Sequence, residues 1–292
     1  MKKVSTLMIV FLSFLVTPQD SFSAGNKKYS PPKDLDLMSV WQAWEIIKNG
    51  YVDDKKIDNE TITRGLIKGM IYAVGDKHGY FFKTDDFKKF ISATHSGVNG
   101  KIINEKNKNG RPIKIAHLKI NSFTETTDDE MRSELEKLIE NGTDRLILDL
   151  RNNPGGMLEA SVDVCGTFLG PDKVVFVKSG RQNKEEITSV GEKTFGDIPI
   201  ICLIGKSSAS AAEIVAGALQ DHHRAKLVGQ TSYGKGTIQT SFETSAGIIV
   251  ITTKHWVTPN GNIVEGQGLK PDVEVKNVSD TLAEAVKIIR DM

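Results

Sequence analysis

The sequence predicts an α/β fold in which strands and helices alternate along most of the chain. Short apolar, β-prone segments recur between segments whose apolar residues have helical spacing, and no internal repeat or low-complexity tract interrupts them. The chain has 292 residues and a formal net charge of +1, so it is long enough for a sizeable core. Because it lacks a basic stripe or tail, nucleic acid is not expected as a partner.

Residues 1–23 have the pattern of a secretory signal peptide. Two lysines follow Met1, an apolar stretch covers residues 4–16, and small residues precede Ala24. The apolar stretch is too short for a stable membrane span, so we expect none after signal cleavage. The pattern predicts a bacterial protein of the periplasm or the cell exterior. The alternative interpretations are an N-terminal membrane anchor and a buried helix.

Residues 24–34 predict a flexible linker, and residues 35–95 a small helical unit. Two apolar stripes mark helices there: Leu37, Trp41, Trp44 and Ile47, then Ile62, Leu66 and Met70. A third short helix is predicted at Thr84–Ser92. Residues 93–111 are polar and rich in Gly, Asn and Lys, which predicts a loop with one short strand at Lys101–Asn104.

The rest of the chain, residues 113–292, predicts a single α/β core. Apolar β-prone segments predict strands at Ile113–Ile120, Leu146–Leu150, Val174–Val177, Ile198–Ile204, Leu227–Gly229, Thr237–Phe242 and Gly247–Thr253. Helical spacing and capping residues predict helices after Thr127, at Met157–Leu169, at Ser210–Gln220 and after Thr281. Two cysteines, Cys165 and Cys202, lie in apolar segments and are predicted to be buried thiols, although export would permit a disulfide.

Ser210 is a candidate nucleophile because it lies where an apolar strand ends and a helix begins. Backbone N–H groups point outward at a helix N-terminus, and the helix dipole favours negative charge that develops there. A serine at a helix start is also a common N-cap, and Ser207 and Ser208 compete for that ordinary role.

A nucleophilic serine needs a base, and the candidate is Lys235, between Gly234 and Gly236. A lysine can act as a base if burial lowers its pKa, and a strand that follows directly would anchor it. The chain has six histidines, none within a familiar triad motif. A third element, the Pro-Gly-Gly turn that ends at Gly155 and Gly156, offers N–H groups for an oxyanion, or is an ordinary strand-to-helix turn.

Four segments in order, DLRNNPGG, SASAAEI, YGKGTIQ and TPNGNIVEGQGLKPDVEV, resemble the C-terminal processing (tail-specific) peptidases. The resemblance implies a ClpP/crotonase-like core and a serine endopeptidase that cuts near protein C-termini. It implies Ser210 as nucleophile, Lys235 as base and Gln239 as a support for the lysine. It also implies a supporting role for Asp221, and oxyanion donors from Ala211 and from Gly155 or Gly156. Neither a metal nor a cofactor is implied.

Members of that family usually carry a PDZ domain between the helical unit and the core. Residues 96–112 stand at that place and are far fewer than the ~50 that a small domain needs. The resemblance therefore predicts protein or peptide substrates and a homodimer through the N-terminal helices. For a core without a PDZ domain, three kinds of control stay open: constitutive activity, gating by an activator protein, or selection of the substrate by the cleft alone. The alternatives are a peptide-binding module without catalysis, an acyl-transfer enzyme of the crotonase kind, and a cytosolic protein.

Overall fold

The computed structural model describes residues 34–92 and 97–292. The predicted signal peptide and nearly all of the predicted linker lie outside the described residues. The described residues form two compact units, one of residues 34–89 and 241–251 and one of residues 90–240 and 252–292 apart from the gap. Within these ranges, no helix is long and apolar enough to cross a membrane.

The smaller unit is mainly helical, as its apolar stripes predict. Its elements are α1 (Leu37–Gly50), α2 (Asn59–Ala73), β1 (Tyr80–Phe82) and most of α3 (Thr84–Ser92). Aspartates cap the two longer helices: Asp36 accepts from the Ser39 N–H at 3.1 Å, and Asp58 from the Thr61 N–H at 2.8 Å. Helix α1 has no buried residue.

The larger unit holds most of the strands and the other four helices. In chain order they are β2 (Val98–Lys106), β3 (Pro112–Ile120), α4 (Thr127–Glu140), β4 (Arg145–Asp149), α5 (Leu158–Leu169), β5 (Val174–Ser179), β6 (Lys184–Thr188), β7 (Ile200–Ile204), α6 (Ala211–Asp221), β8 (Lys226–Gly229), β9 (Thr237–Thr244), β10 (Gly247–Val257), β11 (Val273–Glu274) and α7 (Thr281–Ile289). Residues 241–251, which belong to β9 and β10 and the turn between them, are part of the smaller unit. Strands and helices alternate, which confirms the predicted α/β class.

A six-stranded sheet in the order β11-β8-β7-β4-β3-β2 forms the centre of this unit. Its strands from β3 to β11 are parallel, and β2 joins antiparallel at the edge. Neighbouring residues of a strand face opposite sides: Ala116 belongs to the hydrophobic cluster that includes residues of α4, α5 and α6, whereas Ile115 belongs to the cluster that includes residues of α7. Burial on both faces explains why the central strands are continuous apolar runs. The parallel strands β4 and β7 end at the same edge, where their loops meet.

Strand β10 extends over more residues than predicted, and its two ends have different partners. In the smaller unit, its residues Ile248–Val250 pair with β1; in the larger unit, its residues His255–Val257 pair with β5, and β5 pairs with β6. The sequence prediction assigned all of residues 113–292 to one core. Residues 241–251 belong instead to the smaller unit, because pairing with β1 holds them there.

The prediction for residues 93–111 is correct about a strand at Lys101–Asn104 but makes it too short, and its residues 93–96 lie outside the described residues. Strand β2 occupies Val98–Lys106 and pairs with β3 along its whole length, from Val98 opposite Ile120 to Lys106 opposite Pro112. An edge strand has one open side and exposes alternate side chains, so its polar composition looks like that of a loop. Cys165 and Cys202 are both buried free thiols, as predicted.

Candidate active site

Ser210 lies in the short connection between β7 and α6, at the N-cap position of the helix. Its side chain is fully buried, and its backbone has a positive φ of 61°, which is rare for a residue with a side chain. Of the two competing serines, Ser208 has a structural role: its hydroxyl donates to the Leu150 carbonyl at 2.8 Å and accepts from the Gly205 N–H at 2.9 Å. Ser207 is exposed. Of the three serines in this loop, only Ser210 has a positive φ.

Glu213, on the first turn of α6, has its side chain fully buried. One carboxylate oxygen accepts from the Ser232 hydroxyl at 2.5 Å and from the Gly234 N–H at 2.7 Å. The other accepts from the Ser210 N–H at 2.8 Å and from the Lys235 N–H at 2.9 Å. Burial raises the pKa of Glu213, and these hydrogen bonds oppose the shift. The sequence prediction used Glu213 only to locate the nucleophile and missed this role.

The same oxygen of Glu213 therefore joins the Ser210 turn to the Lys235 turn. The two backbone nitrogens can be no further apart than the two hydrogen bonds laid end to end, about 5.7 Å. These residues are 25 positions apart in the sequence and come from different loops. The structure thus brings together the two residues that the sequence analysis predicted as a dyad.

Lys235 is 1 % exposed, although lysine is one of the residue types least often buried. Burial lowers the pKa of its ammonium group to about 8, and the carboxylates of Glu265 and Glu213 oppose that shift. Its carbonyl oxygen accepts from the Trp256 indole N–H at 3.0 Å, which anchors the backbone of the turn. A buried lysine with a pKa of about 8 is neutral in a far larger fraction of molecules near pH 7 than an ordinary lysine and can serve as a base.

Gln239 lies on β9, four residues after Lys235. Its amide nitrogen donates to the hydroxyl of Thr237 at 3.0 Å and to that of Thr252 at 3.1 Å. Its amide oxygen is buried and accepts no hydrogen bond among the described residues. The two threonines therefore fix the amide, and a support for Lys235 through the free oxygen stays a prediction.

The two candidate oxyanion glycines differ in whether the backbone N–H group already donates a hydrogen bond. The Gly155 N–H already donates to the Asn153 side chain at 2.8 Å. A Cβ at Gly155 would lie 2.8 Å from the Ser210 Cβ, so only glycine lets this turn pack against the nucleophile. Within the described part of the chain, the N–H groups of Gly156 and Ala211 have no acceptor. The geometry favours these two as oxyanion donors over Gly155.

Asp221 ends helix α6 and holds the turn that follows β10. One carboxylate oxygen accepts from the Asn260 N–H at 2.8 Å, and the other lies 3.5 Å from the Asn262 amide nitrogen. The side chain therefore positions residues 258–262, and a supporting role of Asp221 in the reaction stays a prediction.

A second buried polar cluster lies at the end of β4, and sequence reasoning missed it. Asp149 accepts from Nε and Nη2 of Arg151, at 2.9 and 2.7 Å, and lies 2.9 Å from the His117 ring nitrogen. Burial alone would raise the pKa of Asp149, but hydrogen bonds from His117 and Arg151 outweigh it and lower the pKa to about 2. This cluster fixes the end of the strand that leads into the Pro-Gly-Gly turn.

The fold brings together a buried serine, a buried lysine and two glycine-containing turns, which is the arrangement expected of a class of serine peptidase. A family model, that of peptidase family S41, matches residues 114–275, which is more than half of the chain. The chain belongs to this family.

Individual relatives agree with the assignment. The chain is 37 % identical over 164 residues to a "probable CtpA-like serine protease" of Staphylococcus epidermidis, covering 55 % of this chain and 33 % of that protein. It is 37 % identical over 171 residues to a carboxyl-terminal-processing protease of Synechocystis sp., covering 58 % of this chain and 40 % of that one. The matched region is thus well under half the length of these relatives.

A solved structure has the same fold. The photosystem II D1 C-terminal processing protease superposes with a TM-score of 0.57 at 25 % identity, covering 63 % of this chain and 49 % of that one. The resemblance to C-terminal processing peptidases that the sequence motifs predicted is confirmed.

Proposed function

We propose that this protein is a serine endopeptidase in which Ser210 is the nucleophile and Lys235 the general base. One observation carries the proposal: a single buried oxygen of Glu213 binds the backbone N–H groups of both residues. The lowered pKa of Lys235 supports the role of base, and family membership supports the reaction class.

In the proposed mechanism, the neutral Lys235 amine takes the proton of the Ser210 hydroxyl while the serine oxygen attacks a peptide carbonyl carbon. The N–H groups of Ala211 and Gly156 stabilise the oxyanion of the tetrahedral intermediate. The lysine ammonium then gives its proton to the leaving amine, and an acyl-serine ester remains. Water attacks this ester with Lys235 again as base, which releases the new carboxyl group and restores the serine. Gln239 would orient the lysine.

We propose substrates that are exported proteins or peptides cut near their C-termini, in the periplasm or outside a bacterial cell. The relatives' names support the kind of substrate, and the pattern of residues 1–23 supports export. Cell fractionation with N-terminal sequencing of the purified protein tests the location. Retention of residues 1–23 on protein in the cytosol would contradict it.

We further propose that the protein cleaves unfolded substrates without a PDZ domain; control by an activator protein is the alternative, which an absence of casein cleavage by wild type would favour. The segment where the family resemblance predicts that domain is occupied by β2 and its turn into β3.

We also propose a homodimer through the N-terminal helices, because Trp41 is 63 % and Ile46 72 % exposed on α1. Sedimentation of wild type beside a Trp41→Ser, Ile46→Ser variant tests the dimer: dissociation in the variant supports it, and a monomeric wild type contradicts it.

The test of catalysis compares the mature chain with Ser210→Ala and Lys235→Ala on casein as an unfolded substrate. Two exposed neighbours on the same loop, Ser207→Ala and Lys206→Ala, are matched controls. We expect cleavage by wild type and by both controls, and a loss of at least about a thousandfold in the two dyad variants. Cleavage that survives in Ser210→Ala would contradict the assignment.

A fluorophosphonate probe separates an enzyme that awaits an activator from a peptide-binding module. Labelling of wild type at Ser210, lost in Lys235→Ala, supports the dyad even where casein is not cut. Binding of a casein peptide without labelling would favour the non-catalytic module. Mass spectrometry of the products tests the preference for C-terminal sites.

A further inference from the structure

Three consecutive backbone N–H groups in the turn that carries Lys235 each donate to a carboxylate. Gly234 and Lys235 donate to Glu213, and the third, Gly236, donates to Glu265 at 2.7 Å. Glu213 belongs to the nucleophile motif, but Glu265 comes from the segment after β10, to which no role in the reaction has been given above.

The segment around Glu265 packs directly on the lysine turn. A Cβ on Gly236 would lie 2.5 Å from the Glu265 nitrogen, and a Cβ on Gly234 would lie 2.8 Å from the Gly268 nitrogen. The Gly266 N–H also donates to the Gly234 carbonyl at 2.9 Å. Both glycines beside Lys235 are therefore required by this close approach, and the Glu265 carboxylate is held at the backbone of the residue that follows the lysine.

We propose that Glu265 is a positioning residue for Lys235, which fixes the third N–H of the turn and places a negative charge next to the lysine ammonium. This inference rests on the proposed function of Lys235 as base. Two carboxylates act on that ammonium, Glu265 and Glu213, and the effect of Glu265 is the larger. Because Glu213 also holds the Ser210 turn, Glu265 is the group that can adjust the lysine without moving the nucleophile.

The direction of the effect follows from the charge. An anion beside an ammonium group stabilises its protonated form, so removal of the anion makes the lysine lose its proton at lower pH. Glu265→Gln keeps an oxygen that can accept from the Gly236 N–H but removes the charge. Glu192→Gln, at an exposed glutamate elsewhere on the larger unit, is the matched control.

The experiment measures the protonation of Lys235 by NMR with labelled lysine, on a Ser210→Ala background in which no chemistry occurs. We expect the titration midpoint of Lys235 to fall by roughly one pH unit in Glu265→Gln, a tenfold change in proton affinity, and to stay fixed in Glu192→Gln. In the enzyme with Ser210 restored, the acid limb of kcat/KM should move to lower pH by the same amount.

An unchanged Lys235 midpoint in Glu265→Gln would overturn the proposal, even if activity fell, because that result is the signature of a purely structural hydrogen bond. A midpoint that rises would overturn it as well. The titration needs no proteolysis, so it distinguishes this inference from the proposed function: a shifted midpoint in a protein that cuts nothing supports the positioning role and contradicts only the catalysis.

Discussion

The larger unit contains two fully buried carboxylates, and the protein stabilises them in different ways. Asp149 is surrounded by Arg151 and His117, and its pKa is lowered to about 2. Glu213 is surrounded by three backbone N–H groups and the Ser232 hydroxyl, and burial leaves its pKa raised. Asp149 stabilises the end of one strand, whereas Glu213 joins two turns from different parts of the chain. A buried charge with a cation partner is compensated locally, whereas one that depends on backbone donors requires each donor to stay in place.

The largest expected effect comes from Glu213→Gln, which tests whether the link between the turns is what assembles the site. An amide has one oxygen in place of two, so two of the four buried donors lose their acceptor. Each unsatisfied donor costs about 1–3 kcal/mol, and we expect the free energy of unfolding to fall by about 3 kcal/mol or more. Labelling of Ser210 by a fluorophosphonate should fall at least about a hundredfold, because small displacements between reacting groups are costly.

Glu243→Gln, at an exposed glutamate, is the control for that change. Normal labelling of Ser210 in a folded Glu213→Gln protein would contradict the role given to Glu213, since the two turns would then be assembled without its carboxylate.

The second effect is that of Asp149→Asn, which should reduce stability but not reactivity. The change leaves the Arg151 charge without its partner, and broken buried pairs cost about 3–5 kcal/mol. Because the folded pKa of Asp149 is lowered from 3.8 to about 2, its stabilising effect is full above pH 3.8 and is lost as the pH falls through 2. The difference in unfolding free energy between wild type and variant, measured by urea titration, should therefore narrow between pH 4 and pH 2.

Below its lowered melting temperature, Asp149→Asn should still be labelled at Ser210 at nearly the wild-type rate. A loss of labelling as large as that of Glu213→Gln would show that the two carboxylates do not have separate roles.

The smallest effect is expected for Asp221→Asn. Its carboxylate holds the turn at residues 258–262 through the Asn260 N–H, and this turn leads to the segment that packs on Lys235. An asparagine keeps one acceptor, so we expect cleavage to fall about tenfold or less, with stability reduced by about 1 kcal/mol. Steady-state kinetics with a peptide substrate measure this change. A thousandfold loss of kcat would instead place Asp221 beside Glu213 as an essential part of the site.

Much of the fold could be predicted because burial leaves a strong periodic signal. Strands such as β4 and β7 are continuous apolar runs, and the helices on the sheet have an apolar face. Strand β2 was predicted too short, at Lys101–Asn104 only, and the charged strand β6 was missed, because an edge strand need not be apolar. Residues 241–251 were assigned to the wrong unit because the sequence does not show which distant segment a strand pairs with.

In the candidate site too, some residues could be predicted from the sequence and others could not. Ser210 and Lys235 carry motifs with their own local signal, a strand-to-helix junction and a lysine between glycines. Glu213 and Glu265 act through backbone N–H groups of distant residues, and a backbone donor is the same at every position except proline. Only the folded chain shows that these donors converge on two carboxylates.

The positive φ of Ser210 lowers the stability of the folded protein at its proposed nucleophile. A residue with a side chain costs on the order of 1–2 kcal/mol in that conformation, and glycine does not have this cost. Of two inactive variants, Ser210→Gly should therefore be about 1 kcal/mol more stable than Ser210→Ala. Random mutation under selection for thermal stability alone would therefore favour glycine over serine at this position.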